Sequence, residues 1–280
     1  MKNFIIRTLS GLAFTVLVIG SILYGPVAFA VVFGIIMTLA VYEFLNITIG
    51  KGFSTENLPA KAFTIVAAIS LFANIFLITA YGMDPLYLLF TMLPIVGIFI
   101  SNMYVKRYNV HDIQIVDGVQ QRKPNGYEMF PFSIAALVYV ALPFSLFSLV
   151  LFDKTGVYNG NLLLSIMVLL WCTDVGAYLL GSTLGQMNNH RLFLSISPKK
   201  SWEGFFGGLI LSIAGAIVLR YIGLLELSLI DAVVLGTIIC VFGVLGDLVE
   251  SQLKRNFGVK DSGSIMPGHG GMLDRFDGAL

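Results

Sequence analysis

The sequence is poor in charge. Asp, Glu, Lys and Arg make up 12% of its 280 residues, against about a quarter in an ordinary soluble domain. Hydrophobic residues make up 57%. A chain of this length has no core large enough to hide so much apolar surface from water. That excludes a soluble globular domain and makes lipid the solvent for most of the chain. Cysteine is scarce too. Cys172 and Cys240 both lie in apolar stretches and read as small hydrophobes, which excludes a disulfide framework or a thiolate metal site. The formal net charge of +1 says nothing about partners, because what matters is where the charges sit; no nucleic-acid partner is expected. No repeat at a fixed period and no low-complexity segment is present. The N-terminal apolar run lacks a small-residue cleavage site and leads straight into another span, so it reads as a retained helix and not a signal peptide.

What is present is apolar runs of membrane length. A hydrocarbon core about 30 Å thick needs roughly 20 apolar helical residues. That rule predicts eight spans, at about 4–24, 27–49, 62–81, 85–104, 130–150, 161–183, 204–222 and 229–250. Tyr24, Gly25 and Pro26 mark a tight turn between the first two. Polar stretches remain at 105–128, 184–203 and 251–280. Placing the N-terminus inside puts 15 of the 17 Lys and Arg on the inner side, with only Lys154 and Arg220 outside, as the positive-inside rule requires. The expected fold is an all-α, polytopic transmembrane helical bundle of about eight spans with both termini cytoplasmic. Its expected parts are 1–128, N-terminal helices and a cytoplasmic loop, and 129–280, a C-terminal transmembrane catalytic region.

Three polar elements fall on the same side. The last stretch alternates carboxylates, cations and glycines: Gly246, Asp247, Glu250, Ser251, Lys254 and Arg255, then Lys260, Asp261 and Gly263, then Pro267, Gly268, His269, Gly270 and Gly271, then Asp274, Arg275 and Asp277. Carboxylate oxygens suit a hard divalent cation. Cations neutralise phosphate oxygens, and glycines let backbone N–H groups approach them. These are the parts for phosphoryl or nucleotidyl transfer, which runs on positioning and charge neutralisation. A solvated loop that merely sets topology leaves the acids and glycines without a task.

The second element, Ser197-Pro198-Lys199-Lys200-Ser201-Trp202-Glu203-Gly204, enters the seventh span. It reads either as an anion site at a helix N-terminus or as a positive stop signal with a serine cap. The third is Trp171, Asp174, Gly176 and Tyr178 within the sixth span. An acid inside a span is costly and is a functional candidate by default, the alternative being a buried bond to a neighbouring helix. Asp247 and Glu250 occupy the last turns of the eighth span. His269 suits phosphate contact or proton transfer, or else a turn. Glu43, near the end of the second span, either joins the site or pairs with a neighbouring helix. His111 and His190 read as solvated.

Together these residues resemble a known family. The run Ser251-x-Leu253-Lys254-Arg255-x4-Lys260-Asp261-x-Gly263-x3-Pro267-x-His269-Gly270-Gly271-Met272-x-Asp274-Arg275-Phe276-Asp277 is similar to the signature of the phosphatidate cytidylyltransferases (CDP-diacylglycerol synthases). The Trp171/Asp174 and Ser-Pro-Lys-Lys elements resemble that family in the same order, so the likeness is strongest over 171–277. It implies an enzyme that joins CTP and phosphatidate to give CDP-diacylglycerol and pyrophosphate. It further implies Mg²⁺, with room for a second cation, a helical fold, an inner-membrane location facing the cytoplasm, and a homodimer. The metal ligands implied are Asp247, Asp274 and Asp277, with Asp174 and Asp261 as further candidates. Lys254, Arg255 and His269 join the three main acids in the implied catalytic set. Ser197, Lys199, Lys200, Ser201, Glu203, Lys260 and Arg275 form the implied substrate-binding set. No nucleophilic side chain is required, because the lipid phosphate attacks CTP.

The sequence departs from the family pattern in three places. Ser201 stands where Thr is common, and Met266 where Leu, Ile or Phe is usual. The family pattern continues into another apolar helix after the Asp-Arg-x-Asp element, whereas this sequence ends at Leu280, so a metal-binding end tethered from one side is expected. Two other readings compete: a secondary transporter or channel, which intramembrane acids also suit, and a membrane nucleotidyltransferase acting on another lipid phosphate or polyprenyl phosphate. The enzyme readings predict a polar cavity between the sixth, seventh and eighth spans, open sideways to lipid.

Overall fold

The computed structural model describes residues 2–52, 57–104, 113–116, 119–122, 126–152, 156–188, 190–268 and 270–280. His111 and His269, two residues singled out above, lie outside the described residues. Among the described residues, seven helices are long and apolar enough to cross a membrane, and the chain is an integral membrane protein. Its Cα trace forms two compact units, Met1–Val32 with Val150–Leu280, and Phe33–Leu149. Helix α1 (Lys2–Tyr24) turns into α2 (Pro26–Thr48) at Gly25, whose φ of +139° suits glycine. Pro26 then opens α2, where its missing N–H costs nothing.

In the unit Phe33–Leu149, α3 (Leu58–Tyr81) ends on a left-handed Gly82. The expected fourth span differs from its reading. It is a 3₁₀ turn, Pro85–Thr91, followed by the 13-residue α4 (Met92–Tyr104). The cause is local: the Asp84 carboxylate accepts from the Leu86 N–H at 2.9 Å, which favours a tight first turn, and Pro85 supplies no N–H of its own. Strands β1 (Ile113–Val116) and β2 (Val119–Arg122) form an antiparallel hairpin. Helix α5 (Gly126–Ala136), a π turn (Leu137–Ala141), α6 (Leu142–Leu146) and a 3₁₀ turn (Phe147–Val150) run on as the next span. Edge-on rings of Phe33, Phe144 and Phe147 pack this unit.

The other unit is built on α7 (Asn161–Asn188), α8 (Trp202–Tyr221) and α9 (Leu229–Asn256). Between α7 and α8 lies a second hairpin, β3 (Arg191–Phe193) with β4 (Ser197–Ser201), inside a stretch read only as polar. In lipid, apolar contact does not drive helices together, so close packing must. Here glycine provides it. A Cβ on Gly176 would meet the Gly207 carbonyl, and one on Gly208 would meet the Thr173 carbonyl at 3.0 Å. The glycines entering the seventh span therefore serve a helix seam. Leu169, Ala216, Leu219, Leu225, Ala232 and Ile239 fill the core further along. The Ser201 hydroxyl accepts from the Gly204 N–H at 3.2 Å and caps α8, a bond that contributes about 1 kcal/mol.

Candidate active site

These helices bring one set of ends together. The end of α7 and the start of α8 meet at the β3–β4 hairpin, where the Trp202 N–H donates to the His190 carbonyl at 3.0 Å. The end of α9 meets the chain's last residues through Lys254 and Asp274. The start of α1 joins them: the Ser10 hydroxyl donates to the Pro267 carbonyl at 3.1 Å, and the Phe14 ring stands edge-on to Phe276. The result is a cavity of about 530 Å³ within this one unit. Phe14, Val18, Met167 and Leu170 give it an apolar wall. Asp174, Lys199, Lys200, Asp247, Arg275 and Asp277 give it a charged one. The cavity lies among the three helices expected, and α1 adds a wall the sequence did not suggest.

Three carboxylates converge at its charged side. Ligand oxygens of Asp247, Glu250 and Asp277 all lie within 4.8 Å of one another. Asp247 and Glu250 are three residues apart on α9, hence on one face. Asp277 arrives from a 3₁₀ turn, Asp277–Ala279, laid across α9. That approach requires glycine, because a Cβ on Gly246 would run into the Asp277 carbonyl. At an effective dielectric of about 20, two ionised carboxylates at such a separation repel by roughly 3–4 kcal/mol. Burial, and then the neighbouring Asp247, push the Asp277 carboxyl up to about 7.

Cations partly offset this. Lys200 Nζ stands 2.6 Å from Asp247 Oδ2, while the Ser251 hydroxyl donates to Asp247 Oδ1 at 3.1 Å. Lys254 Nζ, behind the cluster, donates to Glu250 Oε2 and Asp274 Oδ1, both at 2.7 Å. Glu250 is fully buried, and its second oxygen, Oε1, has no hydrogen-bond partner. A buried, unmatched carboxylate oxygen is expensive. Three hard oxygen donors around one point, one of them orphaned, fit a small divalent cation such as Mg²⁺.

Asp274 stands differently. Its Oδ2 accepts from the N–H groups of Ser262 at 2.9 Å and Gly271 at 2.8 Å, beside the Lys254 bond on Oδ1. Burial alone would raise its pKa, but Lys254 and these two amides outweigh burial and hold the carboxyl below its ordinary value.

Of the expected site residues, Asp174, Lys199, Lys200, Ser201, Asp247, Asp274, Arg275 and Asp277 line the cavity. Six others do not. Ser197 is engaged in the hairpin opposite Phe193. Glu203 Oε1 pairs with His190 Nδ1 at 2.9 Å, so that histidine, although 68% exposed, is not simply solvated. Lys254 sits behind the acids. Arg255 is exposed and donates to the Val259 carbonyl at 3.3 Å. Lys260 and Asp261 are exposed on the turn beyond α9. Glu250 is the main residue the sequence reading left out of its site. The signal was available: 247, 250 and 254 recur at i, i+3 and i+7, one stripe of a helix. Glu43 is buried in the other unit.

Residues 5–280 match the cytidylyltransferase family. The chain is similar to the phosphatidate cytidylyltransferase of Staphylococcus epidermidis, 41% identical over 146 residues, which cover 52% of this chain and 53% of the relative. The Bacillus subtilis phosphatidate cytidylyltransferase is 40% identical over 149 residues, covering 53% of this chain and 54% of its own length. That of Staphylococcus aureus strain COL is 42% identical over 148 residues, covering 52% and 53%. The chain spans about half the length of the curated relatives it matches. With the family match running almost from end to end, this chain belongs to the cytidylyltransferase family.

Proposed function

We propose that this chain transfers a cytidylyl group from CTP to phosphatidate, giving CDP-diacylglycerol and pyrophosphate. The observation that carries the reading is the cavity with two kinds of wall, charged on one side and apolar on the other. A reaction between a water-soluble triphosphate and a lipid phosphate needs both. The names of the relatives support the same substrate pair. A phosphate oxygen of phosphatidate attacks the α-phosphorus of CTP, the bond to the bridging oxygen breaks, and pyrophosphate leaves with its electrons. Lys199, Lys200 and Arg275 hold phosphate oxygens. Phe14, Val18, Met167 and Leu170 hold the apolar part of the lipid and keep water out. Asp247, Glu250 and Asp277 are the residues that would hold Mg²⁺, which when bound neutralises phosphate charge. Orphaned Glu250 Oε1 supports that assignment. The positive-inside pattern supports a site on the cytoplasmic face of a bacterial inner membrane.

The test is pyrophosphate release by the detergent-solubilised chain, given CTP with and without phosphatidate and with and without Mg²⁺. Release that needs all three is expected. Release that ignores phosphatidate but needs another lipid or polyprenyl phosphate would transfer the reading to that acceptor, and no release with any acceptor would end it.

A further inference from the structure

Asp274 was expected to hold metal, and Lys254 to belong to the catalytic set. Their bonding assigns them another task. Both oxygens of Asp274 are occupied, Oδ1 by Lys254 and Oδ2 by two backbone amides, and its side chain is 7% exposed. Lys254 commits two of its three N–H donors to carboxylates at 2.7 Å and is 10% exposed. Lys254 keeps one N–H donor and Asp274 borders the cavity, but the bonds of both run mainly to the chain itself, whereas Glu250 Oε1 is left orphaned.

The surrounding backbone is shaped to the same end. Gly268 and Gly270 hold φ of +76° and +84°, left-handed conformations that favour glycine. A Cβ on Gly270 would lie 2.6 Å from Asp274 Oδ2, so the turn is cut to seat that carboxylate. Ser262 closes the ring twice, its N–H donating to Asp274 and its hydroxyl accepting from the Asp274 N–H at 3.4 Å. From there a 3₁₀ turn, Leu273–Arg275, leads to Asp277, and the chain lands on α9 again where Gly246 admits the Asp277 carbonyl. The two anchor points on α9, at 254 and 246, are eight residues or roughly 12 Å apart along the axis. Asp247 and Glu250 lie between them.

We propose that Lys254 and Asp274 are positioning residues, a buried clasp that folds the glycine-rich segment back on α9 and so sets Asp277 beside Asp247 and Glu250. The clasp rests on the reading of those three acids as the metal site. It orders the segment before any metal arrives, since all of its bonds are internal to the chain.

The experiment uses the full detergent-solubilised chain, with Mn²⁺ binding read by electron paramagnetic resonance and CTP kinetics measured at saturating Mg²⁺. Asp274→Asn, Lys254→Met and the double variant are compared with wild type. Each single change is expected to weaken Mn²⁺ binding about ten- to hundredfold, the range for losing a group that orients a ligand. The number of ions bound per chain stays the same. The double variant is no weaker than the worse single, because either change already opens the clasp. KM for CTP at saturating metal is unchanged. The idea is overturned if Asp274→Asn removes the ion while Lys254→Met leaves Mn²⁺ affinity intact, which is the behaviour of a ligand. It is equally overturned if Lys254→Met raises only the CTP KM, which is the behaviour of a phosphate contact.

Wild-type protein that binds no Mn²⁺ would instead defeat the metal-site reading. Hydrogen exchange at the Ser262 and Gly271 amides of wild type then decides the clasp separately, and decides it also if the variants do not fold. Slow exchange without metal is expected, and fast exchange without metal would overturn it.

Discussion

Among the described residues each compact unit buries one lysine and one glutamate, Lys61 with Glu43 in Phe33–Leu149, and Lys254 with Glu250 in the other. The two lysines are satisfied by opposite means. Lys61 Nζ donates to Asn46 Oδ1 and Gly52 O, both at 2.6 Å, and to the Gly50 carbonyl. Three donors meet three neutral acceptors, and the Tyr42 ring lies 5.7 Å from the ammonium. The Gly50 and Gly52 carbonyls lie just past the C-terminal end of α2, where a cation also suits the helix dipole. Lys254 instead meets two carboxylates in a group that holds more acid than base, and Glu250 keeps an oxygen unmatched. Neutral acceptors around one buried cation mark structure. Three acids converging around one point, with a single lysine behind them, mark a place where a cation binds.

That contrast is broken most severely at the acids. Asp247→Asn or Asp277→Asn should lower turnover by about 100- to 1,000-fold, the range for losing one electrostatic stabiliser of a transition state, with thermal stability in detergent little changed. Normal turnover in either variant at saturating Mg²⁺ would break the comparison at its functional end. Gly246→Ala comes next. Its Cβ forces Asp277 away, and overpacking of this kind costs about 1–3 kcal/mol. A fall in Mn²⁺ affinity of roughly 5- to 150-fold is expected, measured by resonance titration. Lys200→Ala should reduce kcat/KM for CTP about tenfold to hundredfold, from loss of a charged hydrogen bond. Initial rates against CTP at fixed phosphatidate check it, beside a protease-accessibility test of topology.

The structural end sharpens the contrast with smaller effects of another kind. Lys61→Met leaves carbonyl oxygens unpaired and should cost about 1–3 kcal/mol of stability, read as a lower unfolding temperature in detergent. Activity per folded molecule should not change, and a CTP KM that moved would put Lys61 in the wrong class. Tyr158→Phe removes a hydroxyl that donates to the Ile22 carbonyl at 2.6 Å and should cost about 1 kcal/mol. Burial pushes the Tyr158 pKa up to about 12. Its contribution is therefore fully present below the ordinary tyrosine pKa near 10 and is lost as pH rises from there to about 12. Ultraviolet titration of the wild type against the Phe variant would show it.

The sequence was most legible where lipid leaves no choice. Backbone groups in hydrocarbon must bond within a helix, so seven spans could be read from apolar length alone. Around 85–104 the same reading gave the bounds but not the helix type, because Asp84 and Pro85 favour a tight 3₁₀ turn that hydropathy does not register. The site was half legible. Acids and cations announced themselves by being out of place, but which acid faces the cavity depends on how a loop folds. The stretch 260–277 has no periodicity to read, and Asp274 looks like Asp277 until its amide partners are known. Glu250 was visible as an intramembrane acid but not as a site member until Asp277 was brought to it. The wall from α1 had no local signal, since its partner Pro267 is 257 residues away.

That separation bears on how the protein is made. Ser10 and Phe14 are synthesised early, whereas Pro267 and Phe276 emerge late. At about 5–20 residues per second, α1 waits in the membrane for roughly 13–50 s before its partner segment leaves the ribosome. Until then the cavity lacks Arg275 and Asp277 from its charged wall. A chain that stalls after α9 but before this segment therefore carries its long membrane helices without that part of the candidate site.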